Sequence, residues 1–228
     1  MLSFRSQQLT VVIPTLNAGA TLAATLASIA GVAEIIVSDG GSTDETRSIA
    51  AAAGARTVTG SRGRGRQLQA GADEATSTWL LFLHADTVLA AGWRQAAEDH
   101  ARADAAPGLA ACFRFALDDL GWQARVLEGL VAIRCAMFGL PYGDQGLLIS
   151  RALFDDIGGF RDLPIMEDVD LVRRLGRRRL MVLPVAARTS ADRWRRDGWA
   201  RRSLRNLVCL TLYLIGVTPA RIARLYER

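Results

Sequence analysis

The sequence contains no lysine: all 28 of its Lys/Arg-type residues are arginines, and with 23 acidic residues they give a formal net charge of +5. It contains three cysteines, far apart at Cys112, Cys135 and Cys209. That spacing fits neither a zinc site nor a disulfide framework, and indicates reduced, buried thiols. The longest apolar run falls short of the ~20 residues that cross a bilayer, and residues 1–8 do not resemble a secretory signal peptide. We therefore expect a cytoplasmic protein.

Half of the residues are apolar, enough for a sizeable core. In the first part of the chain, short apolar runs alternate with helical patterns. Strands are predicted at 9–13, 34–38, 56–59 and 79–83, with helices at 20–29, from 42 onward and at 66–74. Pro14 is expected to end the first strand, and the capping-box sequence Ser42-Thr43-Asp44-Glu45 to begin the second helix. Such alternation predicts an α/β fold with a mainly parallel central sheet.

After Asp86 the alternation loosens. Helices are predicted at 92–102, 122–137, 151–157 and 166–175, and strands at 109–117, 146–150 and 180–183. We find no internal repeat and no linker, so residues 1–228 are expected to form a single domain. Its parts would be a nucleotide-binding half (1–90), an acceptor half (91–190) and a helical C-terminal segment (191–228).

The C-terminal segment joins an arginine cluster to an apolar stretch. The stretch covers residues 207–217, and Arg195, Arg196, Arg201, Arg202 and Arg205 precede it. A buried helix, a dimer contact and an interfacial membrane helix remain alternatives, and the arginines favour an anionic membrane surface. The cluster would also suit a nucleotide diphosphate or a solvated helix face. We expect no nucleic-acid partner, and the sequence leaves the oligomeric state open.

His84 and Asp86 follow the apolar run Leu80-Leu81-Phe82-Leu83 and stand two residues apart. In an extended chain such residues point to the same side, and ligands of open α/β sheets bind beyond the strand ends. A carboxylate there suggests a divalent cation that holds a phosphate. A strand that simply ends in polar loop residues is the alternative.

Several motifs occur together in one order. They are Val11-Val12-Ile13-Pro14-Thr15-Leu16-Asn17, Ile35-Ile36-Val37-Ser38-Asp39-Gly40-Gly41-Ser42-Thr43-Asp44, Phe82-Leu83-His84-Ala85-Asp86, Gly158-Gly159-Phe160 and Glu167-Asp168-Val169-Asp170-Leu171. In order and spacing they resemble the family 2 glycosyltransferases, inverting enzymes of the GT-A fold that use nucleotide-sugar donors. The chain is also similar to a small bacterial subgroup associated with radical-SAM and arsenosugar gene contexts.

The resemblance assigns a donor site. Its nucleotide-binding residues would be Pro14, Thr15, Asn17, Asp39, Gly63, Arg64 and Ala85. Asp39 matches the family's uracil-reading aspartate, which implies a UDP-sugar. Gly63 and Arg64, in a predicted loop over residues 60–65, would bring N–H groups and a guanidinium to the diphosphate; a flexible basic loop is the alternative. Asp86 and His84 match the metal-binding motif, with histidine in place of the first aspartate, and imply Mn²⁺ or Mg²⁺.

The resemblance also assigns an acceptor side. Asp168, paired with Glu167, matches the general base, although adjacent carboxylates at a helix start also stabilise the helix dipole. Asp144, Gln145 and Trp194 are candidates to contact a hydroxyl acceptor, with an ordinary polar turn as the alternative for the first two. Ser190 replaces the glutamine that processive members carry before an Arg-Trp pair, which argues against a polymer synthase.

The predicted function is therefore an inverting glycosyltransferase. Two alternatives belong to other classes. A GT-A-like nucleotidyltransferase typically has a glycine-rich loop with a lysine after its first strand, where this chain has Pro14-Thr15-Leu16-Asn17. A non-catalytic nucleotide- or membrane-binding protein would leave Asp39, Asp86 and Asp168 without a role.

Overall fold

A computed structural model of the chain describes residues 9–103 and 105–226; residues 1–8, which the signal-peptide prediction concerns, lie outside this range. Over the described residues, eight strands form one sheet in the order β3-β2-β1-β4-β7-β6-β8-β5. The strands are β1 (Leu9–Thr15), β2 (Glu34–Asp39), β3 (Arg56–Thr59), β4 (Trp79–Phe82), β5 (Thr87–Leu89), β6 (Ala110–Leu117), β7 (Leu147–Ser150) and β8 (Leu180–Thr189).

Helices connect and flank these strands. They are α1 (Gly19–Ser28), α2 (Thr46–Ala52), α3 (Arg64–Glu74), α4 (Trp93–Arg102), α5 (Trp122–Phe138), α6 (Arg151–Asp156), α7 (Glu167–Leu175), α8 (Asp192–Asp197), α9 (Trp199–Leu214) and α10 (Pro219–Tyr226). The α/β architecture and the helical C-terminus agree with the sequence prediction.

The sheet is mixed, with its parallel pairs concentrated in the first half of the chain. Strands β1 to β4 are connected by helical crossovers, and β1 pairs in parallel with both β2 and β4. Strand β7 then runs antiparallel to β4 and to β6, while β6 and β8 are parallel. The sheet is therefore less uniformly parallel than the β-α alternation of the first 90 residues suggested.

Strand β1 shows how both faces of the sheet are covered. Val11 and Ile13 pack on one side in a core that includes Leu22 of α1. Val12 points to the other side, into a core with Leu68 of α3. Because both faces are buried, the strand is apolar at successive positions rather than at alternate ones. The result is a helix–sheet–helix sandwich that fixes the strand ends.

Three local predictions were wrong at the ends of elements. Strand β1 runs through Pro14 to Thr15, because the missing N–H of Pro14 would face β4, which has already ended at Phe82. Helix α2 begins at Thr46 instead of at the predicted capping box, because the Ser42 hydroxyl donates to Asp39. In addition, α3 begins at Arg64, inside the segment predicted to be a loop.

Strand β5 and the second half of β8 were not predicted. The three residues of β5 pair antiparallel with residues 187–189, so a distant partner determines this strand. Strand β8 continues past Pro184 because the register to β6 shifts at that point, from Phe113↔Leu183 to Arg114↔Ala186. Proline is tolerated at such a bulge because it need not donate to the ladder.

The C-terminal arginines are largely engaged by acids of the same chain. Arg195 pairs with Asp118 and Asp119, while Arg202 and Arg205 both donate to Asp197. These ion pairs neutralise much of the charge that suggested a membrane contact for this segment. Among residues 9–103 and 105–226, we find no helix with both the length and the apolar character needed to cross a membrane.

Candidate active site

The carboxyl ends of β1, β2 and β4 lie at one edge of the sheet. Thr15 and Asp39 are partners in register at the ends of β1 and β2, and His84 follows β4 by two residues. Because β1 separates β2 from β4, two strand spacings, about 10 Å, lie between the Asp39 and His84 strands. This edge is where an open α/β sheet binds ligands.

Asp39 is fully buried and accepts four hydrogen bonds. Its carboxylate accepts from the Thr15 hydroxyl at 3.1 Å, from the N–H groups of Gly41 and Ser42 at 3.2 and 2.9 Å, and from the Ser42 hydroxyl. Burial acts to raise the pKa of Asp39, but the hydrogen bonds from Ser42, Thr15 and Gly41 hold it below its ordinary value. The charged Asp39 therefore shapes the loop after β2.

That loop is tied to the loop after β1. Asn17 adopts a left-handed conformation with φ 51°. Its backbone N–H donates to the Ser42 hydroxyl at 2.8 Å, and its side-chain oxygen accepts from the Thr43 N–H at 2.9 Å. Asn17 remains exposed beside half-buried Pro14. The two loops thus form a single rigid rim at this edge.

Gln67 is a positioning residue that the sequence analysis did not identify. From α3, its buried amide donates to the carbonyl oxygens of Thr15 at 2.6 Å and Ser38 at 2.8 Å, which joins the ends of β1 and β2. A Cβ atom at Gly40 would lie 3.0–3.1 Å from this amide. The sequence does contain a signal for this role. Residues 67, 68, 71 and 72 recur at helical spacing, and Gln67 is the one polar residue on this otherwise apolar face.

The segment His84-Ala85-Asp86 forms the second part of the site. All three residues are half-buried, and the Ala85 carbonyl accepts from the Thr25 hydroxyl at 2.9 Å. Asp86 Oδ2 lies 3.8 Å from the guanidinium of Arg193, at the start of α8. The antiparallel pairing of β5 with β8 brings these two residues together although 107 positions separate them in sequence.

Arg64 and Glu167 join α3 to α7. Arg64 lies in the first turn of α3, directly after Gly63, and its Nη1 is 3.3 Å from Glu167 Oε1. Burial raises the pKa of Glu167, Asp168 adds to this effect, and Arg64 opposes it. The buried Glu167 side chain is thereby committed to Arg64, which leaves Asp168 as the better candidate of the pair for contact with a substrate.

Asp168 stands at the wall of a pocket. Its Oδ2 accepts from the Gly143 N–H at 2.8 Å and its Oδ1 from the Val169 N–H at 2.7 Å. The pocket wall also includes His84 and Tyr142, with Phe82, Phe160 and other apolar side chains beneath them. Met166, just before α7, has φ 67°, a strained conformation for a side-chain-bearing residue, and it turns the chain so that Asp168 faces this pocket.

His84 is wedged against Gly143. A Cβ atom at Gly143 would lie 2.4 Å from His84 Nε2, so the ring and the backbone require glycine there. Burial and the positive charge of Arg64 lower the pKa of His84 to about 4, although Asp86 and Asp168 act in the opposite direction. His84 is therefore neutral at pH 7 and can offer a ring nitrogen as a ligand or hydrogen-bond acceptor.

Asp144 differs from the other carboxylates of the site. Its Oδ1 is buried and has no hydrogen-bond partner among the described residues. Burial raises the pKa of Asp144 to about 7; Arg134 opposes this effect, and the negative charges of Asp168 and Asp86 add to it. Asp86, Asp144 and Asp168 thus interact electrostatically and form one acidic cluster, from which Asp39 lies apart.

Two predicted acceptor contacts are not supported by the side-chain positions. Gln145 is buried in the core, where its amide donates to the Phe113 carbonyl at 3.0 Å and its oxygen accepts from Cys135 Sγ at 3.2 Å. Trp194 is also buried, in a cluster with Phe115. Both side chains pack inward because their elements are amphipathic and these residues lie on the inner face.

The donor groups present suit a divalent cation that arrives with a diphosphate. Asp86 and neutral His84 can each supply one ligand atom, and Asp144 Oδ1 is an unpaired oxygen in the same acidic cluster. In the described part of the chain, no group of three or more His, Cys, Asp or Glu side chains forms a complete metal site. Ions such as Mg²⁺ are commonly held by one or two carboxylates plus substrate phosphates, so this partial set fits such an ion.

Comparisons with known proteins agree with this architecture. The profile of the family described as Glycosyl transferase family 2 matches residues 10–158. A PGL/p-HBAD biosynthesis glycosyltransferase of Mycobacterium tuberculosis is 44% identical to this chain over 90 residues, 35% of this chain and 35% of the relative. The chain thus matches about a third of the length of that relative.

Solved structures share the fold at low identity. A mannosyltransferase from Pyrobaculum calidifontis, in complex with GDP-Man and Mn²⁺, is 19% identical with a TM-score of 0.67, over 96% of this chain and 68% of that one. Glucosyl-3-phosphoglycerate synthase from Mycobacterium tuberculosis, in complex with Mn²⁺, UDP and glucosyl-3-phosphoglycerate, is 22% identical with a TM-score of 0.55, over 80% and 70% of the two chains. The family match runs from β1 through α6, well over half of the sequence, and the chain belongs to glycosyl transferase family 2.

Proposed function

We propose that the protein is an inverting glycosyltransferase that moves a sugar from a UDP-sugar to a hydroxyl acceptor, with Asp168 as general base. One observation carries this proposal: Asp168 is fixed at the pocket wall by the Gly143 N–H at 2.8 Å. It also interacts with the charges of His84, Arg64 and Asp144. Family membership supports the class of reaction, and the residues of the site support their individual roles.

In the proposed step, Asp168 accepts the proton of the acceptor hydroxyl as that oxygen forms a bond to the anomeric carbon of the donor. The bond from this carbon to the β-phosphate oxygen breaks, and its electron pair leaves with UDP. A single displacement of this kind inverts the configuration at the anomeric carbon. Arg64 and Arg193, whose positive charges both act on His84, would balance the negative charge of the leaving diphosphate.

Asp86, with His84, would hold Mn²⁺ or Mg²⁺ against the diphosphate. When bound, such an ion stabilises the charge of the leaving group. The two structural neighbours described above were both solved with Mn²⁺, one with UDP and the other with GDP-Man. Because these neighbours differ in their base, the choice of uridine rests on the resemblance that assigns base reading to Asp39, and the uracil N–H would replace one of the four donors that this carboxylate accepts from.

The acceptor is the least constrained partner. Asp144, with its buried and unpaired oxygen, is the residue best placed to bind an acceptor hydroxyl. The resemblance to the radical-SAM and arsenosugar subgroup suggests hydroxyl compounds of those gene contexts as first acceptors to assay. The buried free thiols of Cys112, Cys135 and Cys209 are consistent with a cytoplasmic location.

Calorimetric titration tests the donor site. We expect UDP to bind more tightly than GDP or ADP, and Mn²⁺ to strengthen its binding. Asp86→Asn should remove the Mn²⁺ effect and leave a weak, metal-independent affinity. Asp99→Asn, the same change at an exposed position of α4, is the matched control and should behave as wild type. An unchanged Mn²⁺ response in Asp86→Asn would move the metal to other residues.

A further inference from the structure

Helix α5 presents large apolar side chains to the outside. Trp122, Val126, Leu130, Ile133 and Met137 recur at helical spacing along it, with side chains 52–72% exposed. This α5 stripe runs the length of the helix, about 24 Å at 1.5 Å per residue. Single exposed apolar residues are ordinary on protein surfaces, but a continuous stripe marks an interaction site.

The charged residues of α5 are used within the protein. Glu128, the one acidic residue of this helix, accepts from the Leu117 N–H at 2.8 Å and pairs with Arg125 at 2.9 Å. Arg134 donates to the Leu140 carbonyl at 2.8 Å and stacks over the Tyr142 ring at 3.6 Å. An amphipathic surface helix usually turns its apolar side chains inward and its charged ones outward. Over much of α5 this arrangement is reversed.

Helix α9 shows the same reversal. Arg202 and Arg205 turn inward to Asp197. Leu204 and Leu207, about 60% exposed, point outward with Val208 and Leu214 to form the α9 stripe. This helix contains no acidic residue, so its stripe carries no negative charge.

An arginine-lined groove lies near the C-terminal end of each of these two helices. A groove of about 270 Å³ lies between the C-terminal ends of α5 and α9, with walls from Phe138, Leu140, Val172 and Leu214. Arg173 and Arg177 complete its wall, and Arg177 also donates to the Ala136 carbonyl near the end of α5 at 2.9 Å. Apolar walls with two guanidinium groups match a phosphate that is attached to a hydrocarbon chain.

We propose that the α5 and α9 stripes, with the groove between them, dock the protein on an anionic lipid bilayer. Helices with an apolar face and flanking basic residues bind in this way to the interface of such membranes. Here the basic residues are Arg173 and Arg177 of the groove, which are separate from the acid-paired arginines of the C-terminal segment. A two-fold dimer through the same surface is disfavoured, because it would place the arginines of one copy near those of the other without exposed acids on α5 or α9 to balance them.

This docking would place the active site at the membrane surface. Five residues after α5 ends, Gly143 binds Asp168, so the loop that follows the α5 stripe forms part of the pocket wall. If Asp168 is the general base, a step that rests on the proposed function, the acceptor hydroxyl would belong to a membrane-borne amphiphile.

Vesicle flotation of the 228-residue chain tests the docking independently of activity. We expect flotation with vesicles of phosphatidylcholine and phosphatidylglycerol, and at least tenfold less with phosphatidylcholine alone. The double variant Leu130→Asp with Ile133→Asp should lose flotation at least tenfold. The control Ala23→Asp with Ala27→Asp adds the same charge at exposed positions of α1 and should float like the wild type.

Each other outcome overturns the proposal. Absent flotation of the wild type, or equal flotation of the α5 variant, would remove the bilayer as partner. A loss in both double variants would show a response to net charge alone. Light scattering that shows a wild-type dimer, abolished in the α5 variant, with no vesicle binding would assign the surface to a second copy. The melting temperature of each variant verifies folding. UDP affinity, measured on the same proteins, tests the proposed function separately, because its absence would contradict that function without affecting the flotation result.

Discussion

The carboxylates at the two ends of the candidate active site differ in their hydrogen bonding and in the direction of their pKa shifts. Asp39 accepts four hydrogen bonds and its pKa lies below the ordinary value. Asp144 retains a buried, unpaired oxygen, and its pKa is raised to about 7. A satisfied buried carboxylate contributes a fixed charge and a rigid loop, whereas an unsatisfied one costs stability until a ligand or proton satisfies it. In the proposed function, the donor side around Asp39 would therefore be preformed, and the acceptor side around Asp144 would await a partner.

Among the variants that test this difference, Asp168→Asn should have the largest effect, a loss of transfer rate. The variant keeps the size of the side chain but removes its basicity, so transfer should fall by roughly 10²–10⁴-fold, the usual scale for general-base catalysis. UDP and Mn²⁺ affinities should change far less than the rate, because in the proposed function neither ligand contacts Asp168 directly. Initial rates and calorimetry on the same preparation measure the two effects separately. Near wild-type transfer would direct attention to Asp144 or Glu167.

Asp39→Ala probes the preformed donor side. Loss of the carboxylate leaves the buried donors of Thr15 and Ser42 without an acceptor, at about 1–3 kcal/mol for each stranded group. We expect the free energy of unfolding to fall by about 2–4 kcal/mol and UDP affinity to fall about 10- to 100-fold, at ~1.4 kcal/mol per decade. Denaturant unfolding and calorimetry measure these two changes.

Ser42→Ala is the matched control for Asp39→Ala. It removes one donor and keeps the charge, so it should cost less in both assays. Equal affinity of the wild type for UDP, GDP and ADP would contradict base reading by Asp39, and an unchanged stability of Asp39→Ala would contradict its structural role.

Asp144→Asn should alter the pH dependence of stability. The pKa of Asp144 is raised from 3.8 to about 7 in the folded state. The group therefore stabilises the fold fully below pH 3.8, and this contribution is lost as the pH rises through 7. Without divalent cations, the variant and the wild type should be similar at pH 3.5, and the variant more stable at pH 8 by up to about 4 kcal/mol, at 1.36 kcal/mol per pKa unit. Chemical unfolding at the two pH values measures the difference, and parallel pH profiles would disprove it.

Arg193→Gln gives the smallest effect, with opposite signs for two ligands. Arg193 lies 3.8 Å from Asp86 and is half exposed, so its charge should be worth about 0.2–1 kcal/mol. Its removal should strengthen binding of Mn²⁺ alone and weaken binding of UDP with Mn²⁺, each up to about fivefold. Arg196→Gln on the same helix, where Arg196 pairs with Asp197, should change neither. Shifts of equal sign for both ligands would argue against a role at the diphosphate.

The sequence predicted features that depend on local patterns. Apolar runs bounded by turn residues located β1 to β4, and the motif order placed His84, Asp86 and Asp168 in one site, where the structure also brings them into electrostatic contact. The three-residue β5 was not predictable, because it becomes a strand only by pairing with β8, about 100 residues later in the sequence. The inward direction of Gln145 and Trp194 depends likewise on which face of each element the core covers.

The pairing of β4 with β7 has a consequence for synthesis of the protein. Strand β4 ends at residue 82, but its neighbour β7 begins at residue 147 and joins it antiparallel. Until about 65 further residues have left the ribosome, a nascent chain presents β4 as an open edge of the half-built sheet, the kind of edge that recruits other chains. Residues 1–90 are therefore expected to aggregate when expressed alone.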